Sequence, residues 1–164
     1  GSTDVRFSTL NPDASSQLQT FSPDRLLALY GTTTVDAVFS LPSAPGVQAS
    51  VRGFGAVFAD VSLFGSTRLE AFGRTGQLLA TIDVPAAAGG LSFAGVWMNE
   101  GEPIDRIRLT LGQTGIESAA TNLDRVALDD FLYSEPGVVP EPAVALLTVA
   151  GGLSLALRRR RHDP

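Results

Sequence analysis

The chain has 164 residues, a net charge of −5 and no cysteine. That length suits one domain. The missing thiols exclude a disulfide framework, thiol catalysis and a cysteine-ligated zinc or iron–sulfur site.

Charge is unevenly spread. Residues 1–141 hold eight Arg against sixteen Asp and Glu, a balance of −8, while the last 23 residues hold four Arg against Asp163 alone, a balance of +3. Lysine is absent. An acidic body argues against nucleic acid as a partner, because phosphate binding needs clustered basic side chains. It reads as a solvated acidic surface.

The chain opens on Gly1 rather than Met, with no apolar run near its start. Any secretion signal is therefore missing from this sequence or already removed, and Gly1-Ser2 also fits a cloning remnant. Residues 1–30 form a polar, turn-rich segment leading into the first strands. Within it, "SPDRLLALYG" admits a short helix, with Ser22 as N-cap, Pro23 at the first helical position and Gly31 as the stop. Its apolar run covers only five residues, and the next stretch of chain is β-like, so a loop feeding a strand is the preferred reading.

Residues 31–135 are expected to be the core. "TTTVDAVFSL" alternates: Val35, Ala37, Phe39 and Leu41 face one way, Thr34, Asp36 and Ser40 the other, with Val38 as the exception. "LPSAPG" breaks the strand. "VQASVRGFGAVFADVSL" reads as one long strand or a pair, with Gly53 and Gly55 suited to a bulge or bend. "TRLEAFGRTGQLLATIDV" is the clearest hairpin, turning at "GRTGQ". "LSFAGVWM" is a further strand. In "IDRIRLTLG", Ile104, Arg106, Arg108 and Thr110 share one face, and Asp105, Ile107, Leu109 and Leu111 the other. "QTGIESAATNLD" is a polar loop and "RVALDDFLY" the last strand. About eight strands at roughly 8–12-residue spacing predict an all-β, antiparallel β-sandwich or barrel.

Chemistry is sparse. The one histidine, His162, lies beyond the C-terminal arginines, so a catalytic triad or a His-based metal site is not available within the domain. An enzyme would have to use paired carboxylates, as glycoside hydrolases do. Asp129-Asp130 sits in the last strand, where period-two geometry sends the two side chains to opposite faces. An inward carboxylate needs hydrogen bonds or a cation. One reading is a structural Ca²⁺ site with Asp60 and Asp83 as helpers. The other, preferred, is a carboxylate satisfied by backbone N–H groups or by Arg106 or Arg125. No other metal or cofactor is expected. Trp97, Phe54, Phe58, Phe64, Phe72, Phe93 and Phe131 include candidates for a sugar-stacking platform, with core packing the preferred reading for each. Gly53-Phe54-Gly55 has no following helix to receive phosphates and is not a nucleotide loop.

The ending differs from everything before it. Residues 136–142 form a linker. Ala143 to Leu157 is fifteen residues without a charge, and residues 158–164 are Arg-rich. A helix of fifteen residues rises about 22 Å, short of a bilayer core of about 30 Å. Snorkelling arginines and local thinning offset part of that deficit. Arg158, Arg159, Arg160 and Arg161 would then sit on the cytoplasmic side, with the domain on the outer side. A docked C-terminal helix explains less, because the run is apolar all round and contains Gly151-Gly152.

Pro140-Glu141-Pro142, the short apolar span and the arginine cluster occur in order. Together they resemble the PEP-CTERM sorting signal. The resemblance implies a tail read by an exosortase, a membrane-embedded transpeptidase-like enzyme that processes it near the motif. It also implies export to the cell surface or extracellular matrix of a Gram-negative bacterium that makes exopolysaccharide. The body, from about Gly53 to Pro136, resembles galactose-binding-like, jelly-roll β-sandwiches through "GFGAVFADV", "LEAFGRTGQLLATIDVP" and "VALDDFLYSEP". That implies a jelly-roll architecture and carbohydrate association. The expected function is a non-catalytic surface protein in contact with exopolysaccharide. The alternatives are a carbohydrate-binding module with a defined, Ca²⁺-supported sugar site, and a small carboxylate-pair glycoside hydrolase.

Overall fold

The computed structural model of the protein describes residues 18–22 and 26–138. The PEP motif, the apolar run expected as a helix and the arginine cluster lie outside them. Among the described residues there is no helix, and hence none long and apolar enough to cross a membrane. They form eight strands: β1 Thr34–Leu41, β2 Ala44–Ala49, β3 Gly53–Val61, β4 Arg68–Phe72, β5 Leu78–Asp83, β6 Ala87–Trp97, β7 Arg106–Thr110 and β8 Ala127–Tyr133.

Two antiparallel sheets result, one in the order β2-β1-β7-β4-β5 and one in the order β6-β3-β8. The chain steps from sheet to sheet: β1 and β2 in the larger, β3 in the smaller, β4 and β5 in the larger, β6 in the smaller, β7 in the larger, β8 in the smaller. Leu27 adds an antiparallel bridge to Leu128 of β8, with both N–H···O=C bonds at 2.8 Å. It takes the place of a first strand beside β8. The result is an all-β, jelly-roll-like sandwich. The segment around Leu27 thus behaves as a loop feeding a strand.

Alternation explains which faces meet. In β1, Phe39 is buried and Val35, Ala37 and Leu41 half-buried, while Thr34, Asp36, Val38 and Ser40 face solvent. In β7, Ile107 and Leu109 point inward, joined by Leu111 just beyond it. From the smaller sheet come Phe54, Ala56, Phe58, Ala94 and Leu128, and all of these belong to one apolar cluster between the sheets. A fully buried Phe, Leu or Ile contributes about 1.5–3 kcal/mol by leaving water, so this cluster is the main stabilising element.

β3 is central, with β6 and β8 on either side, and is buried on both faces over most of its length. The sequence left open whether residues 47–63 make one strand or two. There are two, in different sheets, because Ser50 and Val51 leave β2 to bridge Gly137 and Ile104. Gly53 and Gly55 do not make a bulge; both stay in continuous register with Trp97 and Gly95. The bulge lies at Asp60, between Ala59 and Val61, where the backbone turns left-handed at φ 62°. Asp tolerates that region better than most residues. Here Asp60 Oδ1 accepts bonds from Gly89 N at 2.6 Å and Ser62 Oγ at 3.0 Å.

The second face of the smaller sheet is only half covered. At one end Leu18 and Ile116 pack on Ala59 and Ala127 with Leu26, Ala28 and Leu91 around them. The other end is open to solvent.

Candidate functional site: an aromatic shelf

The open end of that face is built from glycines and rings. Residues an even number apart on a strand share a face, so Phe93, Gly95 and Trp97 of β6 point outward together. Opposite them on β3 are Gly53, paired with Trp97, and Gly55, paired with Gly95. Leu132 of β8, paired with Gly55, borders the far side.

The two rings lie down over the glycines. A Cβ placed on Gly53 would come within 2.2 Å of Trp97 Cε3, and one on Gly55 within 2.6 Å of Phe93 Cζ. Only glycine permits that approach. Their other faces are free: Trp97 is 62% exposed, Phe93 54% and Leu132 59%. The shelf encloses a shallow volume of about 440 Å³, within the size range of ligand sites. At its end, Ser134 Oγ accepts the N–H of Arg52 at 2.7 Å and of Gly53 at 3.2 Å. Neither bond uses the hydroxyl proton, which is left to donate.

A second aromatic cleft of about 430 Å³ opens between the sheets, where β1 meets β8. Phe39 contacts Phe54 at 6.2 Å and Tyr133 at 5.9 Å between ring centroids, and Phe54 contacts Phe131 at 6.0 Å. These rings cap the core, and Phe39 and Phe54 are buried. Neither cleft is lined by an Asp or Glu side chain.

The aromatic candidates from the sequence therefore divide. Phe54 and Phe58 are core. Phe72 lies under the Arg106 guanidinium, 4.0 Å from its centroid. Phe131 is partly covered, and Phe64 is exposed in the loop after β3. Core packing is overturned for Phe64, Trp97 and Phe93. The inner positions of β6 are Ser92, Ala94 and Val96, because Phe54 and Phe58 already fill that space from β3.

The acidic candidates are structural. Asp129 and Asp130 do not point to opposite faces as alternation predicts. The pairing of β3 with β8 slips between Ala56 and Phe58, so these two residues stand opposite Val57 alone. Both carboxylates reach the same segment. Asp129 Oδ2 accepts the N–H groups of Phe21 and Ser22, and Asp130 Oδ2 accepts the Ser22 hydroxyl. Backbone N–H groups thus satisfy Asp129; neither suggested arginine is involved, since Arg125 donates to Ser118 O and Arg106 to Asp36. Asp60 serves its own bulge, and Asp83 stands opposite Arg68 in the β4–β5 pair. Among the described residues no three His, Cys, Asp or Glu groups gather as a metal site would need.

Two further carboxylates, Asp124 and Asp105, are buried. Asp124 accepts from Ser62 N at 3.0 Å, Leu63 N at 3.2 Å and the Ser66 hydroxyl. Asp105 accepts from Gln48 Nε2 at 3.1 Å and the Ser50 hydroxyl. Each ties a loop to the sandwich; alternation already set Asp105 on the face of Ile107 and Leu109, whereas Asp124 had only its place near a strand end as a signal. On the outer face of the larger sheet Asp36 pairs with Arg108 at 2.8 Å and Arg106 at 3.0 Å. The hydrogen bond from Arg108 holds the Asp36 carboxyl below its usual range, against an opposing effect of burial, and Arg106 adds to the lowering.

Pro140, Glu141 and Pro142, expected as a sorting motif, and the arginines 158–161 lie outside the described residues. No family model, no curated protein and no solved structure matches the chain.

Proposed function

We propose that the protein is an exported, non-catalytic surface or matrix protein, sorted by its C-terminal tail and working in contact with exopolysaccharide. The carrying observation is the order of parts in that tail: Pro140-Glu141-Pro142, then the uncharged run Ala143–Leu157, then Arg158–Arg161. The tail follows directly on the last hold of the sandwich, where Gly137 exchanges backbone bonds with Ser50 at 2.9 and 3.0 Å. A segment of about 22 Å spans a bilayer core of about 30 Å only with help. That suits a span which is recognised and removed rather than one that anchors permanently. Four arginines fix its orientation by the positive-inside rule.

The test is delivery in a host that has an exosortase. Deleting residues 140–164, or changing Arg158–Arg161 to Ala, should abolish display at the surface, read by labelling of intact cells. Mass spectrometry of the mature wild-type protein should show a C-terminus near Pro140–Pro142. Normal display of the truncated chain, or an intact tail on the displayed protein, would sink the reading. The exposed rings of Trp97 and Phe93 favour a compatible second reading, a module with a defined sugar site.

A further inference from the structure

We infer that the shelf of Trp97, Phe93 and Gly53 is a binding site for neutral pyranose units of a polysaccharide, one that lays its axial C–H face on the two rings. The inference rests on the proposed function for its setting, a protein surrounded by exopolysaccharide, but its site is defined by the fold alone.

Ring attitude is the first argument. An indole standing on edge offers a ligand little area. Trp97 is laid flat because Gly53 has no side chain to prop it up, and Phe93 leans over Gly55 in the same way. The two glycines are two residues apart on β3, so the rings rest over positions about 7 Å apart. This sets two aromatic surfaces in a row along β3, with room for more than one sugar ring. An aromatic face is electron-rich, and the axial hydrogens of a gluco- or galacto-configured pyranose carry partial positive charge. The flat face of the sugar and the flat face of the ring are therefore complementary in shape and in charge. Ser134 adds one polar group at the margin, and its hydroxyl proton is available for a sugar oxygen.

Size is the second argument. A buried aromatic side chain covers about 150–250 Å². Trp97, Phe93 and Leu132 are each between half and two-thirds exposed, so the free patch measures roughly 300–400 Å². A stable protein interface needs about 800 Å² from each partner. The shelf is too small for a second copy of the chain and the right size for one or two sugar rings.

Charge is the third. No charged side chain lines the shelf, and residues 1–141 carry eight Arg against sixteen Asp and Glu. The long-range field repels polyanions. Neutral stretches of a polysaccharide fit; uronate-rich stretches do not.

Trp97 is the chain's single tryptophan, so its fluorescence reports on the shelf without interference. The full chain, held in a detergent without sugar headgroups, would be titrated with a neutral β-linked glucan hexamer and a neutral galactan oligomer. A galacturonate hexamer of matched length serves as the anionic comparison. At least one neutral oligomer should change the emission saturably, and the galacturonate should not. Calorimetry, which needs no indole, should show Trp97→Ala and Phe93→Ala each weakening binding by roughly tenfold, the scale of one lost stacking contact. Phe64→Ala, which removes a still more exposed ring elsewhere, should leave affinity unchanged. Both shelf rings are at the surface, and far-UV circular dichroism checks that the variants fold. Absence of saturable change with both neutral oligomers would overturn the site. So would equal affinity in Trp97→Ala, tighter binding of the galacturonate, or concentration-dependent dimerisation abolished by Trp97→Ala. A failed sorting test would leave these titrations untouched, and the reverse also holds.

Discussion

Trp97 and Gly53 face each other across β6 and β3, and the indole occupies the space that a side chain on Gly53 would need. The relationship is directional. Gly53→Ala should push the ring off the sheet into solvent rather than disturb the core, since the ring is already 62% exposed. The stability cost should stay near the lower end of the about 1–3 kcal/mol typical of overpacking. The emission maximum of the single tryptophan should shift to the red. A blue shift, or an unchanged spectrum, would show that the ring does not rest on Gly53.

Asp124 is a buried carboxylate that holds the Ser62–Ser66 loop through two backbone N–H groups and one hydroxyl. Removing the acceptor leaves those donors unpaired. Asp124→Ala should cost about 3 kcal/mol, read as a lower urea midpoint at unchanged slope. Asp124→Asn keeps the shape and one acceptor oxygen and should cost about half as much. Equal stability of the Ala variant would show that water replaces the carboxylate without loss.

The strands were largely legible because alternation is a local property. Val35, Ala37, Phe39 and Leu41 announced the inner face of β1, and even the exception, Val38, is exposed as that face requires. "GRTGQ" marked a turn that the β4–β5 pairing makes. Which face of β6 meets the core was not legible. Local hydrophobicity favours Phe93 and Trp97 as the inner residues, yet Phe54 and Phe58 from β3 take that volume and leave room only for small partners. The signal was present in the glycines. A face carrying Gly53, Gly55 and Gly95 would leave voids in a core, so it belongs outside. Register slips were equally invisible, since the β8 bulge at Asp129-Asp130 depends on what β3 presents opposite.

Asp36 links acid pH to the stability of the larger sheet. Its hydrogen bond to Arg108, helped by Arg106, lowers its folded pKa below the unfolded value of about 3.9. A group with a depressed folded pKa stabilises above the unfolded value and loses that contribution as pH falls through the folded one. Asp36→Asn should therefore be less stable than wild type at pH 7, and the gap should close below about pH 4. Added salt should narrow it at neutral pH, because the pair is partly exposed. Parallel stability–pH curves for the two proteins would contradict the ion-pair account.

The acidic pair on β8 gives the last prediction, and it separates a clasp from a cation site. Asp129 already accepts two backbone N–H groups, and Asp130 a hydroxyl, all from Phe21 and Ser22. Carboxylates engaged in this way have little left for a cation, which seeks six to eight oxygen ligands. Millimolar Ca²⁺ or a chelator should leave the thermal midpoint unchanged. Asp129→Ala should instead release the segment that carries Leu18 onto Ala59 and Ala127. The expected trace is faster hydrogen exchange at Phe21 and Ser22, with exchange in β3 unaltered, because the main core does not include that segment. A Ca²⁺-dependent rise in the midpoint that Asp129→Ala abolishes would make the pair a metal site. Unchanged exchange in the variant would show that Leu18 holds the segment by apolar contact alone.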